Sequence, residues 1–119
     1  MSWIRYGSLV MLLGVTLGAF GAHGLKTVLS PEAKQVYHTA VLYHLVHGLA
    51  LLVVGGLSLL KPMEPLVSIA GWSFVLGMLL FSGSLYLLSV TGIAKFGFIT
   101  PLGGLGLLTG WLCLAFAAR

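Results

Sequence analysis

The chain has 119 residues, 59% of them apolar and only 7% charged, and six Lys/Arg against two acids give a net charge of +4. Soluble domains carry about 25% charged residues, so a chain this poor in charge could not cover a water-facing surface, and it reads as a single integral membrane domain over residues 1–119. The basic residues are scattered singly, which leaves no nucleic-acid patch and places them as anchors beside lipid head groups.

A membrane helix needs roughly 20 mostly apolar residues, and four runs supply them, at about 4–22, 31–60, 66–91 and 98–118. The first run has some signal-peptide character, with Arg5 ahead of an apolar stretch and small residues at Ala19, Gly21 and Ala22; it is expected to stay as a helix. The second opens on Ser30-Pro31-Glu32, an N-cap, a first-turn proline and an acid at the positive end of the helix dipole. At about 1.5 Å per residue it would be roughly 45 Å long, against a hydrocarbon core of about 30 Å, so its first turns stand in the interface. The third run ends near Thr91, and the fourth follows Lys95 and contains Thr100-Pro101. Short loops make neighbouring helices antiparallel. No run alternates polar and apolar as a barrel strand must. The expected fold is an all-α integral membrane protein, an antiparallel four-helix transmembrane bundle with the lipid bilayer as its immediate partner.

Arg5, Lys61 and Arg119 fall on one side, the terminal side, and Lys26, Lys34 and Lys95 on the other, the loop side. That balance gives the positive-inside rule nothing to act on; the N-terminal amine tips the terminal side toward the cytoplasm. Gly14 and Gly18, and Gly106 and Gly110, form two GxxxG pairs, and Ala22 extends the first by a turn. Small residues four apart let helix backbones approach in lipid. They are expected either to pack the first and fourth helices together or to form the seam of a homo-oligomer, and a larger membrane complex fits the same pattern.

The polar residues share the loop-side half. His23 ends the first helix there. Counting down the second helix at about 1.5 Å per residue, His44 lies at a depth of roughly 10 Å and His47 at roughly 15 Å, while His38 stays near the surface. On the third helix Tyr86, Ser84 and Ser82 lie at roughly 8 to 14 Å, and Thr100 opens the fourth. At about 100° per residue His44 and His47 are roughly 60° apart on one face, with Tyr37 on the His44 side and Tyr43 on the His47 side, and His38 points away from His47. Ser82 and Ser84 are roughly 160° apart, so at most one faces a given interior point. An ionisable residue inside the membrane marks a functional site unless it merely hydrogen-bonds a neighbouring helix, at about 1 kcal/mol. The expected polar cluster, a ligand or ion site if it is functional, is His23, Tyr43, His44, His47, Ser82, Ser84, Tyr86 and Thr100.

Five stretches carry a resemblance: LGAFGAHGL (17–25), YHLVH (43–47), LFSGSLYLL (80–88), TPLGG (100–104) and GW (110–111). In this order they resemble the small membrane proteins catalogued as domain of unknown function 423, bacterial inner-membrane proteins to which eukaryotic transmembrane protein 256 is similar. The resemblance implies a four-helix multi-pass protein of the cell membrane with no assigned activity. His23, Tyr43, His47, Ser82, Gly83, Ser84, Tyr86, Thr100, Pro101, Gly103 and Gly104 fall on its motifs. Gly83, Gly103 and Gly104 are therefore read, with Gly14, Gly18, Gly106 and Gly110, as helix-packing residues. One position departs: many bacterial relatives carry glutamine where this chain has His44, which weighs against a mechanism that requires imidazole there.

Three chemistries can be set against this cluster. His44 and His47 at i, i+3 could ligate a metal with His23, but no carboxylate or cysteine stands nearby, and no metal is expected. Ser82-Gly83-Ser84 beside His47 could be drawn as nucleophile and base, but nothing marks oxyanion donors or a water path. Proton-coupled transport usually relies on a membrane carboxylate, absent from these spans beyond the interfacial first turn with Glu32. The reading is a non-enzymatic structural or accessory membrane component without cofactor or catalytic residue; the alternative is a small channel, carrier or ligand-binding protein using the His/Ser/Tyr cluster.

Overall fold

The computed structural model describes residues 2–118; Met1 and Arg119, and with them two of the terminal-side charges, lie outside the described residues. The chain forms α1 (Trp3–His23), α2 (Pro31–Leu60), α3 (Pro65–Thr91) and α4 (Thr100–Ala117), with a 3-10 segment at Ala94–Phe98. No strand occurs among the described residues. All four helices are long and apolar enough to cross a membrane.

Local chemistry sets the helix ends. The Ser30 hydroxyl accepts the Ala33 N–H at 3.1 Å and Pro31 follows it. At α3 the Glu64 carboxylate accepts the Leu66 N–H at 3.2 Å, again just before a proline. Gly92 closes α3 with φ 71°, a left-handed conformation that glycine takes without strain. The fourth run, expected from about residue 98, becomes α-helical only at Thr100. Pro101 lacks an N–H and its ring clashes with a preceding turn, so it is accommodated only at the very start of a helix. The residues just before it wind as the 3-10 segment instead.

Each helix packs mainly on its neighbours in sequence: α1 on α2, α2 on α3, α3 on α4. The long α2 and α3 therefore form the centre, with α1 flanking one and α4 the other. Leu51, Val54, Val67 and Phe74 are fully buried between them, while Leu12, Leu59 and Leu108 point outward. At the terminal side the Lys61 ammonium donates to the Ala117 carbonyl at 2.7 Å, a cation on the negative dipole end of α4.

The seams run on a seven-residue step. A Cβ on Gly7 would meet Leu52 at 2.8 Å and one on Gly14 would meet Leu45 at 2.8 Å; from the other side Gly48 faces Met11 at 2.6 Å and Gly55 faces Ile4 at 2.5 Å. Every seven residues along α1 are matched by seven back along α2, and Gly21 continues the row against Tyr37. The α3–α4 seam repeats the arrangement, with Gly77 against Leu107, Gly110 against Phe74 and Gly103 against the Phe81 backbone. Two turns at seven residues return to within about 20° of the same face, whereas four residues overshoot by about 40°.

This corrects the expected partners of the GxxxG pairs. Gly14 and Gly18 face α2, and Gly106 and Gly110 face α3; the pairs do not join α1 to α4. Two other assignments fail. Nothing lies within 4 Å of a Cβ built on Gly83, and one on Gly104 would only touch the Phe81 ring at 3.9 Å, so neither glycine is needed for close approach.

These contacts make opposite predictions for two similar substitutions. Gly103→Ala must push against the backbone of α3 and should lower stability in mild detergent by about 1–3 kcal/mol. Gly83→Ala should stay within about 0.5 kcal/mol of the parent. Thermal unfolding of both variants side by side checks this, and equal effects would contradict the seam.

Candidate functional site

The glycine seam brings α2 close enough for its polar side chains to reach the backbone of α1. In an α-helix the Val10 carbonyl takes the N–H of Gly14 and the Leu17 carbonyl that of Gly21. Each oxygen keeps a second lone pair, and with glycine four residues on, no side chain shields it. His44 Nε2 lies 2.8 Å from the Val10 oxygen, and the Tyr37 hydroxyl donates to the Leu17 oxygen. A Cβ on Gly14 would stand 3.3 Å from that same imidazole nitrogen, and one on Gly21 would run into the Tyr37 ring.

Donor and acceptor roles settle the tautomers. A carbonyl only accepts, so His44 carries its proton on Nε2, and Nδ1 receives the Tyr86 hydroxyl of α3 at 2.9 Å. His47 is arranged the other way. Its Nδ1 donates to the Tyr43 carbonyl at 2.8 Å, and its Nε2 lies 2.9 Å from Trp111 Nε1 of α4. An indole N–H only donates, so His47 must present a lone pair there and is neutral. Both rings are buried, at 7% and 4% exposure, and all four of their nitrogens are engaged. The Phe74 ring packs against both His47 and Trp111, with centroids 5.5 and 4.9 Å away.

The buried serines serve different seams, as their angular separation requires. Ser82 donates to the Ala40 carbonyl of α2 at 2.8 Å. Ser84 gives its proton to the Phe81 carbonyl at 2.9 Å and accepts from Thr100 of α4 at 2.6 Å. The expected single cluster is thus a set of separate clasps: His44–Tyr86 and Ser82–Ala40 between α2 and α3, His47–Trp111 between α2 and α4, Ser84–Thr100 between α3 and α4. The two histidines, one turn apart, point to different neighbours, so they do not converge on one point.

His23 does not join any clasp. It ends α1, is exposed, and lies a full turn or more beyond Gly18 toward the loop. Tyr43, 39% exposed, contributes its carbonyl to His47, and its ring packs against Phe81 at 4.5 Å. Among the described residues no group of three or more His, Cys, Asp or Glu gathers as a metal site would, and no buried side-chain nitrogen or oxygen lacks a partner.

Trp111 and Tyr37 belong to the site and were not assigned to it from the sequence. Trp111 carries a signal: an indole within an apolar span needs a partner for its N–H. The Val10 and Leu17 carbonyls carry none in their own side chains; the glycines four residues on are the readable trace.

A pocket of about 240 Å³ opens between α1 and α3 above α2. Leu13, Leu17, Met78 and Leu79 form its walls, and His44 and Tyr86 lie at its polar edge. Gly83 borders it, which accounts for the open space beside that residue. His47 does not line this pocket.

Comparison with known proteins places these features in a family context. A family model described as Protein of unknown function (DUF423) matches residues 17–104. The UPF0382 membrane protein YwdK of Bacillus subtilis is 47% identical over 116 residues, covering 98% of this chain and 94% of that protein. The UPF0382 membrane protein SH2409 of Staphylococcus haemolyticus is 45% identical over 112 residues, covering 94% and 90% respectively. A UPF0382 membrane protein of Staphylococcus epidermidis is 42% identical over 115 residues, 97% of this chain and 93% of its own. No solved structure matches the chain.

The opposed tautomers are directly measurable. Nitrogen-15 NMR of the histidine side chains in detergent should give protonated Nε2 for His44 and protonated Nδ1 for His47. Trp111→Phe, which strands the His47 lone pair, should cost about 1 kcal/mol and shift the His47 Nε2 resonance while leaving its Nδ1 protonated and the His44 signals in place. Identical tautomers for both rings would refute the assignment.

Proposed function

The chain belongs to the family described as Protein of unknown function (DUF423) and is a multi-pass membrane protein, and on that premise we propose that it acts without catalysis, as a structural or accessory component of its membrane. In this reading the buried histidines and hydroxyls hold its own helices in register, so that its outward faces are presented to lipid, to a second copy or to a larger complex. The observation that carries the reading is that all four nitrogens of His44 and His47 are engaged by groups of the same chain. Catalysis by Ser82 or Ser84 would need a hydroxyl aimed at a base. Their hydrogens go instead to the Ala40 and Phe81 carbonyls.

A second reading, a binding protein or carrier for a small molecule, is favoured by the pocket beside His44 and Tyr86. Its walls are aliphatic, which suits a hydrophobic ligand better than an ion.

Reconstitution into liposomes separates the two. His47→Leu should lower thermal stability by about 1–3 kcal/mol, because it leaves the Trp111 N–H and the Tyr43 carbonyl contact unmade, and should leave ion and solute flux at the level of the parent. A selective flux through the parent that vanishes in an intact His47→Leu bundle would overturn the accessory reading. For the second reading, Leu79→Trp should expel a hydrophobic molecule that co-purifies with the parent; a parent that carries none would remove its support.

A further inference from the structure

The loop-side ends of α1 and α2 enclose a cleft distinct from the histidine clasps, of about 410 Å³. Lys26 from the connecting loop, and Lys34 and His38 from the first turns of α2, line its outer part. Gly18, Gly21 and Val41 line its deeper part. The Tyr37 ring packs over Gly21 and Val41 approaches Gly18, and with Ala22 and Leu29 they give the polar mouth an apolar floor. Lys34 and His38 also border a shallower hollow with Gln35 and Thr39, which continues the polar surface outward along α2.

The charges around the mouth are one-sided. The chain has only two acids, Glu32 and Glu64. Glu32 stands two residues before Lys34 and is turned about 160° from it on the helix. Glu64 caps α3 at the other end of the bundle. Neither acid lines the cleft. Lys26, Lys34 and His38 are all exposed, beside the loop-side ends of α1 and α2.

We propose that this cleft binds one anionic phospholipid, its phosphodiester held by Lys26, Lys34 and His38 and the start of an acyl chain lying on the apolar floor of Gly18, the Tyr37 ring and Val41. The lysines are point charges suited to a phosphate, and the imidazole adds a hydrogen bond. A zwitterionic head group brings its own ammonium toward two lysines and is disfavoured. The apolar floor distinguishes a lipid from free phosphate, which has nothing to place there.

Native mass spectrometry of the full chain, released from detergent mixed with phosphatidylglycerol or phosphatidylcholine, tests this. One phosphatidylglycerol should be retained in preference to phosphatidylcholine. Replacing both Lys26→Ala and Lys34→Ala should weaken retention about thirtyfold, and Lys34→Gln alone about fivefold, as expected for about 1 kcal/mol per interfacial lysine. Lys95→Ala removes a charge on the same side but outside the cleft and should change nothing. Inorganic phosphate at millimolar concentration should not displace the lipid. Equal retention of the two lipids, an equal loss with Lys95→Ala, or displacement by inorganic phosphate would each overturn the proposal. Thermal unfolding of the lysine variants, whose side chains are exposed, should match the parent, so that lost retention is not lost folding.

Discussion

Between helices in hydrocarbon there is little hydrophobic gain, because a leucine leaving lipid for protein changes one apolar contact for another; what holds them is close approach and the hydrogen bonds that close approach permits. In this protein both come from one device. Glycines at 7, 14 and 21 strip one face of α1 and glycines at 48 and 55 strip the facing strip of α2, so the two backbones mesh. The same bareness uncovers the Val10 and Leu17 carbonyls, and His44 and Tyr37 reach them. Packing and polarity are therefore not separate contributions. Without the glycines the imidazole would have no acceptor on α1, and without the imidazole the seam would lose its register marker.

Much of the fold was legible in the sequence because hydrocarbon imposes length and polarity so strictly. Four apolar runs appear as four helices, and Ser30-Pro31-Glu32 stands at the start of the second. The glycine pattern was harder. The GxxxG pairs are conspicuous, yet the operative interval is seven, visible only when Gly7, Gly14 and Gly21 are taken together with Gly48 and Gly55. The inward direction of His44 and His47 followed from depth and angle. Their separation into different clasps did not, because it depends on which helix lies across each seam, and Trp111 supplies the missing partner. Depth and the family motif both group His23 with the cluster, but as the exposed last residue of α1 it stands outside the clasps.

The two histidines differ in how replaceable they are. His44 offers one donor and one acceptor, to Val10 and Tyr86, and a carboxamide also carries one group of each kind. A glutamine there would make the same pair of bonds, so the position demands a bifunctional polar group more than it demands imidazole. His47 sits between a carbonyl and an indole N–H, enclosed by Phe74 and Tyr43. The flat ring is part of the fit there, and a flexible side chain would lose the aromatic contacts.

The succession of contacts has a consequence for biogenesis. Every major helix pair joins segments adjacent along the chain, so each span after the first packs on the one synthesised immediately before it. Short-range pairing of this kind keeps the entropic cost of closure small. A nascent chain leaving the insertion machinery can zip its first hairpin before the third span exists, and the last span completes the series by bringing an indole to an imidazole already waiting for a proton donor.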